Sequence, residues 1–126
     1  MKFSIITICY NSEKTIERTL KSVLNQSYKD YEYIIVDGAS SEATLDIVQQ
    51  YNLLFEGRMR WKSEPDMGIY NAMNKGIEIS SGDIIGIVNS DDWLEPDALD
   101  IIANTFAHNR NNTNAWCANV NFRITA

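Results

Sequence analysis

The chain of 126 residues predicts an α/β fold: a mainly parallel sheet with helices on both faces, in three layers. Three observations carry this. Almost continuous β-branched and apolar runs recur along the chain, as in strands covered on both sides. Between them lie segments whose apolar residues fall at helical spacing. A short polar turn follows each strand-like run.

The first strand is Phe3 to Cys9, and Asn11 and Ser12 are placed to cap the helix after it. That helix buries Ile16, Leu20, Val23 and Leu24 and leaves Lys14, Glu17, Arg18 and Lys21 in water. Tyr31 to Asp37 is the second strand, centred on Ile34-Ile35-Val36, and it ends in the turn Gly38-Ala39-Ser40-Ser41. Leu45, Val48 and Tyr51 mark the next helix, and Met59 to Ser63 reads as a weaker strand. Gly68 to Ile79 is a helix with Ile69, Ala72, Met73, Gly76 and Ile77 inward, stopped by Ser81-Gly82. Ile84 to Asn89 is another buried strand. Pro96 suits the first turn of a helix carrying Leu99, Ile102, Ala103 and Phe106. After an Asn-rich loop from Asn109 to Asn114, Ala115 to Phe122 could begin one more strand.

Length and composition fit one domain, residues 1–126. Hydrophobic residues are 44% and charged residues 22%, so disordered, collagen-like and disulfide-scaffold classes are excluded. A formal net charge of -6 argues against a sequence-blind grip on nucleic acid. Cys9 and Cys117 have no close-spaced partner and read as buried thiols of a reducing cytosol. The apolar run after Met1-Lys2 is short and lacks a small-residue cleavage site, so it reads as a strand rather than a leader. No stretch reaches the ~20 apolar residues of a membrane span. Asn25-Gln26-Ser27 and Asn111-Asn112-Thr113 fit the glycosylation pattern but carry little weight without a secretory signal.

In a parallel sheet with right-handed crossovers, the C-terminal strand ends share one edge, where ligands bind. Four polar turns would meet there: Tyr10-Asn11-Ser12, Asp37 to Ser41, Glu64-Pro65-Asp66 and Asn89 to Asp92. Asp91-Asp92 follows directly on an apolar strand. Two adjacent carboxylates repel unless something positive lies between them, and a hard divalent cation shared with a phosphate is one answer. The competing reading, a turn opener that caps the next helix, stands on an equal footing. Asp37 is either an acceptor for a nucleobase or ribose, or the acceptor that closes the Gly38-Ala39-Ser40 turn. Tyr10 could stack on a base or pack over the first helix. His108 fits a dipole-complementing helix end better than catalysis. Lys75 and Arg60 are the cations nearest this edge, with solvated faces as their default. The absence of Gly-x-Gly-x-x-Gly and of a Gly-Lys-Ser/Thr loop removes the warrant for dinucleotide oxidoreductases and P-loop NTPases.

With these residues in place the chain resembles the N-terminal half of an inverting family 2 glycosyltransferase of the Rossmann-like GT-A fold. The resemblance runs through Ser4 to Asn11, Ser22 to Tyr28, Ile35 to Ser40, Asp66 to Gly76 and Ser81 to Pro96. It implies a nucleotide-sugar donor, a UDP-sugar first, bound by Tyr10, Asn11, Asp37, Gly68, Asn74, Asn89 and Asp92. It gives Asp91 the metal role, with Mn²⁺ or Mg²⁺ as the ion. Three departures stand out. Gly38 occupies the place where many members have a second Asp. Asn89 replaces the first Asp of Asp-x-Asp. The family's general base lies beyond residue 126, so no catalytic base is assigned. The expected protein is the donor-binding part of an enzyme that passes a sugar to a saccharide or lipid-linked acceptor in polysaccharide or glycoconjugate assembly. Its expected place is cytoplasmic, with peripheral association at the inner membrane face and self-association through exposed apolar surface. The alternatives are a non-catalytic nucleotide-sugar-binding module lacking the acceptor half, and an unrelated Rossmann-like metal or nucleotide binder.

Overall fold

The computed structural model describes residues 1–108. In chain order the elements are β1 (Phe3–Cys9), α1 (Ile16–Leu24), β2 (Tyr31–Asp37), α2 (Thr44–Asn52) with a short 3₁₀ turn (Leu53–Phe55), β3 (Met59–Ser63), α3 (Ile69–Ile79), β4 (Ile84–Ile87) and α4 (Ala98–His108). The four strands are parallel and lie in the order β3-β2-β1-β4. Each crossover contains a helix, as parallel pairing requires.

Strand alternation divides the core between the two faces. On one face Phe3, Ile5 and Cys9 of β1 and Tyr31, Tyr33 and Ile35 of β2 pack with Ile16, Leu20 and Val23 of α1, Val48 of α2, and Leu99 and Ile102 of α4. On the other, Ile6, Ile34 and Val36 pack under Ala72 of α3, with Ile8, Ile79 and Ile87 around them. Here α3 sits close to the sheet, and a methyl group at Gly76 would stand 2.7 Å from Ile6 Cγ2. The expected three-layer arrangement is therefore the observed one.

Several local expectations are corrected. Ile69 and Ile77 are 50% and 42% exposed, so the inward side of α3 is narrower than its apolar pattern and rests on Ala72 and Gly76. β4 ends at Ile87, pairs with β1 alone among the described residues and leaves Ile85 exposed, so it is not buried on both faces. Neither Asn11 nor Ser12 caps α1 with its side chain. The helix starts later, with the Ser12 carbonyl accepting the Thr15 and Ile16 N–H groups. Pro96 stands just ahead of α4 and its carbonyl accepts the Ser27 N–H at 2.9 Å. The Asn-rich loop, Cys117, Asn111-Asn112-Thr113 and the expected strand from Ala115 to Phe122 lie outside the described residues.

Candidate functional site

The C-terminal ends of the strands bring the four polar turns together. Asn11 has a left-handed backbone (φ 46°), tolerated by its short polar side chain. Its N–H donates to Ser40 Oγ at 2.8 Å, and its Oδ1 accepts the Ser41 N–H at 2.9 Å. The Ser12 and Ser90 hydroxyls meet at 2.9 Å, which joins the first turn to the last. Glu64 N–H donates to the Asp37 carbonyl at 3.0 Å, joining the third turn to the second.

Beside the first and last of these turns lies an open cleft of about 710 Å³, lined by Ile8 and Ile69 and by Asn11, Ser12, Glu42, Asn89, Ser90 and Asp91. Asn11, Asn89 and Asp91 of the expected site residues line it. Asp91 is exposed, and its carboxylate has no partner among the described residues. Asp92 beside it is half-buried, with its N–H donating to the Asn89 carbonyl at 3.0 Å. Glu42 is pinned instead. Its Oε2 accepts the Glu13 N–H and its Oε1 the Thr44 N–H. Burial opposes ionisation at Glu42, yet hydrogen bonds from Thr44 and Glu13 outweigh it and hold the carboxyl below its ordinary range.

Asp37 is fully buried, and its oxygens are filled by protein donors. Oδ1 accepts Ser40 Oγ at 2.5 Å and the Cys9 thiol at 3.4 Å, while Oδ2 accepts the Ser40 N–H at 2.9 Å and Ser63 Oγ at 2.8 Å. The turn-closing reading is thus realised. The Cys9 thiol is pushed well above its usual range, by burial first and by Asp37 second, so it serves as a neutral donor.

Tyr10 is 63% exposed and stands at the margin of the cleft, where its ring edges Gly38. Asp66 reaches the same place from the third turn, so close that a Cβ at Gly38 would lie 2.6 Å from Asp66 Oδ2. Gly68 has φ 109°, a conformation open to glycine alone in practice, and its N–H donates to Asp66 Oδ1 at 3.1 Å. Asn74 is exposed on α3 and does not line the cleft.

The two expected cations are engaged elsewhere. Lys75 pairs with Glu64 at 3.0 Å and donates to the Pro65 carbonyl, tying the third turn to α3. Arg60 pairs with the buried Glu32 at 2.6 Å and donates to the Ile79 carbonyl, away from the cleft. Among the described residues the cation that does line the cleft is Lys14. Sequence pattern assigned it to a solvated helix face, because nothing local shows that the chain before α1 folds along the cleft. His108 Nδ1 meets the Asn104 carbonyl at 2.7 Å at the end of α4, in keeping with a surface role.

Sequence reasoning missed the groups that hold the last turn. Thr19 is fully buried on α1 and its hydroxyl faces two carbonyls of that turn. Gln26 is fully buried as well; its amide donates to the Ser22 and Glu95 carbonyls, and its Oε1 accepts the Leu99 N–H at 3.0 Å, capping α4. For Thr19 the available signal was a polar residue at an inward helical position, since a buried polar group needs a partner.

The donor set suits a shared cation. Among the described residues no cluster of three or more His, Cys, Asp and Glu could enclose an ion by itself. An exposed Asp91 carboxylate at a cleft edge fits an ion that keeps its remaining positions for water and a phosphate-bearing ligand, as Mg²⁺ and Mn²⁺ do.

Comparison with known proteins bears on the family and the fold. The Glycosyl transferase family 2 model matches residues 4–121. A chondroitin synthase of Escherichia coli is 38% identical over 103 residues, covering 82% of this chain and 15% of that protein. S. aureus TarS 1-349, solved in complex with UDP-GlcNAc, superposes with a TM-score of 0.81 at 29% identity over 87% of this chain and 32% of TarS 1-349. The mannosyltransferase PcManGT from Pyrobaculum calidifontis, solved with GDP-Man and Mn²⁺, gives 0.72 at 25% identity over 81% of this chain and 30% of its own. The chain spans well under half the length of the curated relatives it matches.

Proposed function

The chain belongs to glycosyl transferase family 2, and we propose that its strand-end cleft binds the diphosphate of a nucleoside-diphosphate sugar, a UDP-sugar first, for transfer to a saccharide or lipid-linked acceptor. The observation that carries this is Asp91: an exposed carboxylate without a partner among the described residues, delivered by a sheet to a polar cleft. Asp91 would hold Mn²⁺ or Mg²⁺, with Asp92 in support. That ion supplies Lewis-acid stabilisation of the charge growing on a diphosphate leaving group.

The chain's own residues do the rest. Lys14 on the cleft wall offsets diphosphate charge. Asn11 and Asn89 offer amides to ribose hydroxyls, and Tyr10 flanks the base from the margin. Asp37 supports the nucleotide by holding the 38–41 turn. Gly68 shapes the third turn beside it. The general base that removes the acceptor proton within about 3 Å is assigned to no described residue. TarS supports UDP-GlcNAc-type donors and PcManGT supports Mn²⁺. The chondroitin synthase supports a polysaccharide acceptor. Among the described residues no helix is long and apolar enough to cross a membrane, and peripheral association at a cytoplasmic face is part of the proposal.

Calorimetry with UDP and GDP, with and without Mn²⁺, tests the reading. Nucleotide should bind in a metal-dependent way, and Asp91→Ala should weaken that binding by about tenfold or more, roughly 1.4 kcal/mol. Binding unaffected both by that substitution and by chelator overturns it.

A further inference from the structure

The turn that carries Asp91 is held by a hydroxyl from another element. Thr19 Oγ1, fully buried in the middle of α1, lies 3.0 Å from the Ser90 carbonyl and 2.5 Å from the Asp92 carbonyl. One hydroxyl proton is therefore shared between carbonyls on either side of Asp91. Within the turn, the Asp92 N–H donates to the Asn89 carbonyl at 3.0 Å. The peptide before Asp91 is thus fixed through its oxygen and the peptide after it through its nitrogen. With both peptide planes fixed, the Cα–Cβ direction of Asp91 is set before any ligand arrives. Neighbouring contacts come from the same helix and the residues just after it, with the Arg18 guanidinium 3.3 Å from the Trp93 ring centroid and the Gln26 amide on the Glu95 carbonyl at 2.6 Å. Thr19 itself touches the backbone on both sides of the carboxylate.

We infer that Thr19 is a positioning residue for Asp91, preorganising the carboxylate for a divalent cation shared with a diphosphate. The inference rests on the donor-site reading of Asp91. Groups that orient a metal-binding side chain typically contribute about 10- to 100-fold in metal affinity. Thr19→Val keeps the shape and removes the donor, whereas Thr19→Ser keeps the donor.

The test is the Mn²⁺ concentration at half-maximal UDP binding, measured by calorimetry on the full chain, together with UDP affinity in chelator and the unfolding temperature. Thr19→Val should raise the Mn²⁺ midpoint by about tenfold while leaving metal-free UDP affinity unchanged, and Thr19→Ser should restore the midpoint to within about threefold. A merely structural role would lower the unfolding temperature of Thr19→Val without moving the midpoint, and that outcome overturns the proposal. If the valine variant does not fold, Thr19→Ala carries the same comparison, and a wild-type midpoint in it is equally fatal. Asp91→Ala separates the two readings. If it loses metal-dependent binding while Thr19→Val keeps the wild-type midpoint, the Thr19 inference alone fails; if Asp91→Ala changes nothing, both fail.

Discussion

Asp37 and Ser40 are joined twice: the Ser40 hydroxyl donates to Oδ1 at 2.5 Å and the Ser40 N–H donates to Oδ2 at 2.9 Å. With Ser63 and Cys9 also donating, this buried carboxylate holds together the ends of β1, β2 and β3. Asp37→Ala should cost about 2–4 kcal/mol, because it strands several donors in a dry environment. Urea unfolding checks this; a loss below about 1 kcal/mol would show that the donors re-pair at little cost.

Two residues before the end of the same turn region, Ala39 has a left-handed backbone with φ 61° and an exposed side chain. A Cβ is disfavoured there by roughly 1 kcal/mol, and no packing is lost on removing it. Ala39→Gly should therefore stabilise the fold by about 0.5–1 kcal/mol, read as a rise in the urea midpoint. Destabilisation would mean that the greater freedom of glycine in the unfolded chain outweighs the strain relieved.

The buried Gln26 links α1 to the start of α4 through its amide and its carbonyl oxygen. Gln26→Ala leaves the Leu99 N–H and the Glu95 carbonyl without that partner, and the expected loss is about 2–4 kcal/mol. Hydrogen exchange should show the Leu99 amide opening faster than amides of β2. Unchanged exchange at Leu99 would assign its protection to another acceptor.

At the opposite end of the strands, Glu32 is nearly buried and ion-paired with Arg60. Burial alone would raise its pKa, but hydrogen bonds from Ser4, Ser81 and Arg60 outweigh burial and lower it to about 2. The folded value lies below the unfolded one, so the carboxylate stabilises the fold above the ordinary Glu range. That contribution fades as pH falls from about 5 towards 2. Glu32→Gln should lower stability at pH 7 by on the order of 2–3 kcal/mol, and the gap to wild type should close over that window. A gap that is constant with pH would mean that the substitution acts through packing.

Apolar periodicity and turn chemistry are local, and that is why the amino-acid sequence by itself determined the α/β class, the bounds of β1, β2 and β3 and the edge where four polar turns meet. It also supplied the family resemblance, since the motifs lie in order along the chain. Exposure at the margins of elements was less legible: Ile69 and Ile77 share the apolar pattern of α3 but exceed the width that Ala72 and Gly76 can bury.

Which polar groups are already consumed was decided only by the tertiary structure. Asp37 could be a ligand acceptor or a turn acceptor on sequence alone, and Ser63, brought beside it by β2–β3 pairing, settles where its oxygens go in the folded chain. Lys75 and Arg60 are claimed by Glu64 and Glu32, while Lys14 is brought to the cleft. Thr19 reaches Asp92 across 73 positions of sequence. A hydrogen bond requires donor and acceptor within about 3 Å. For groups so far apart in the chain, only the packing of α1 against the turn after β4 creates that distance, so no local pattern could have carried it.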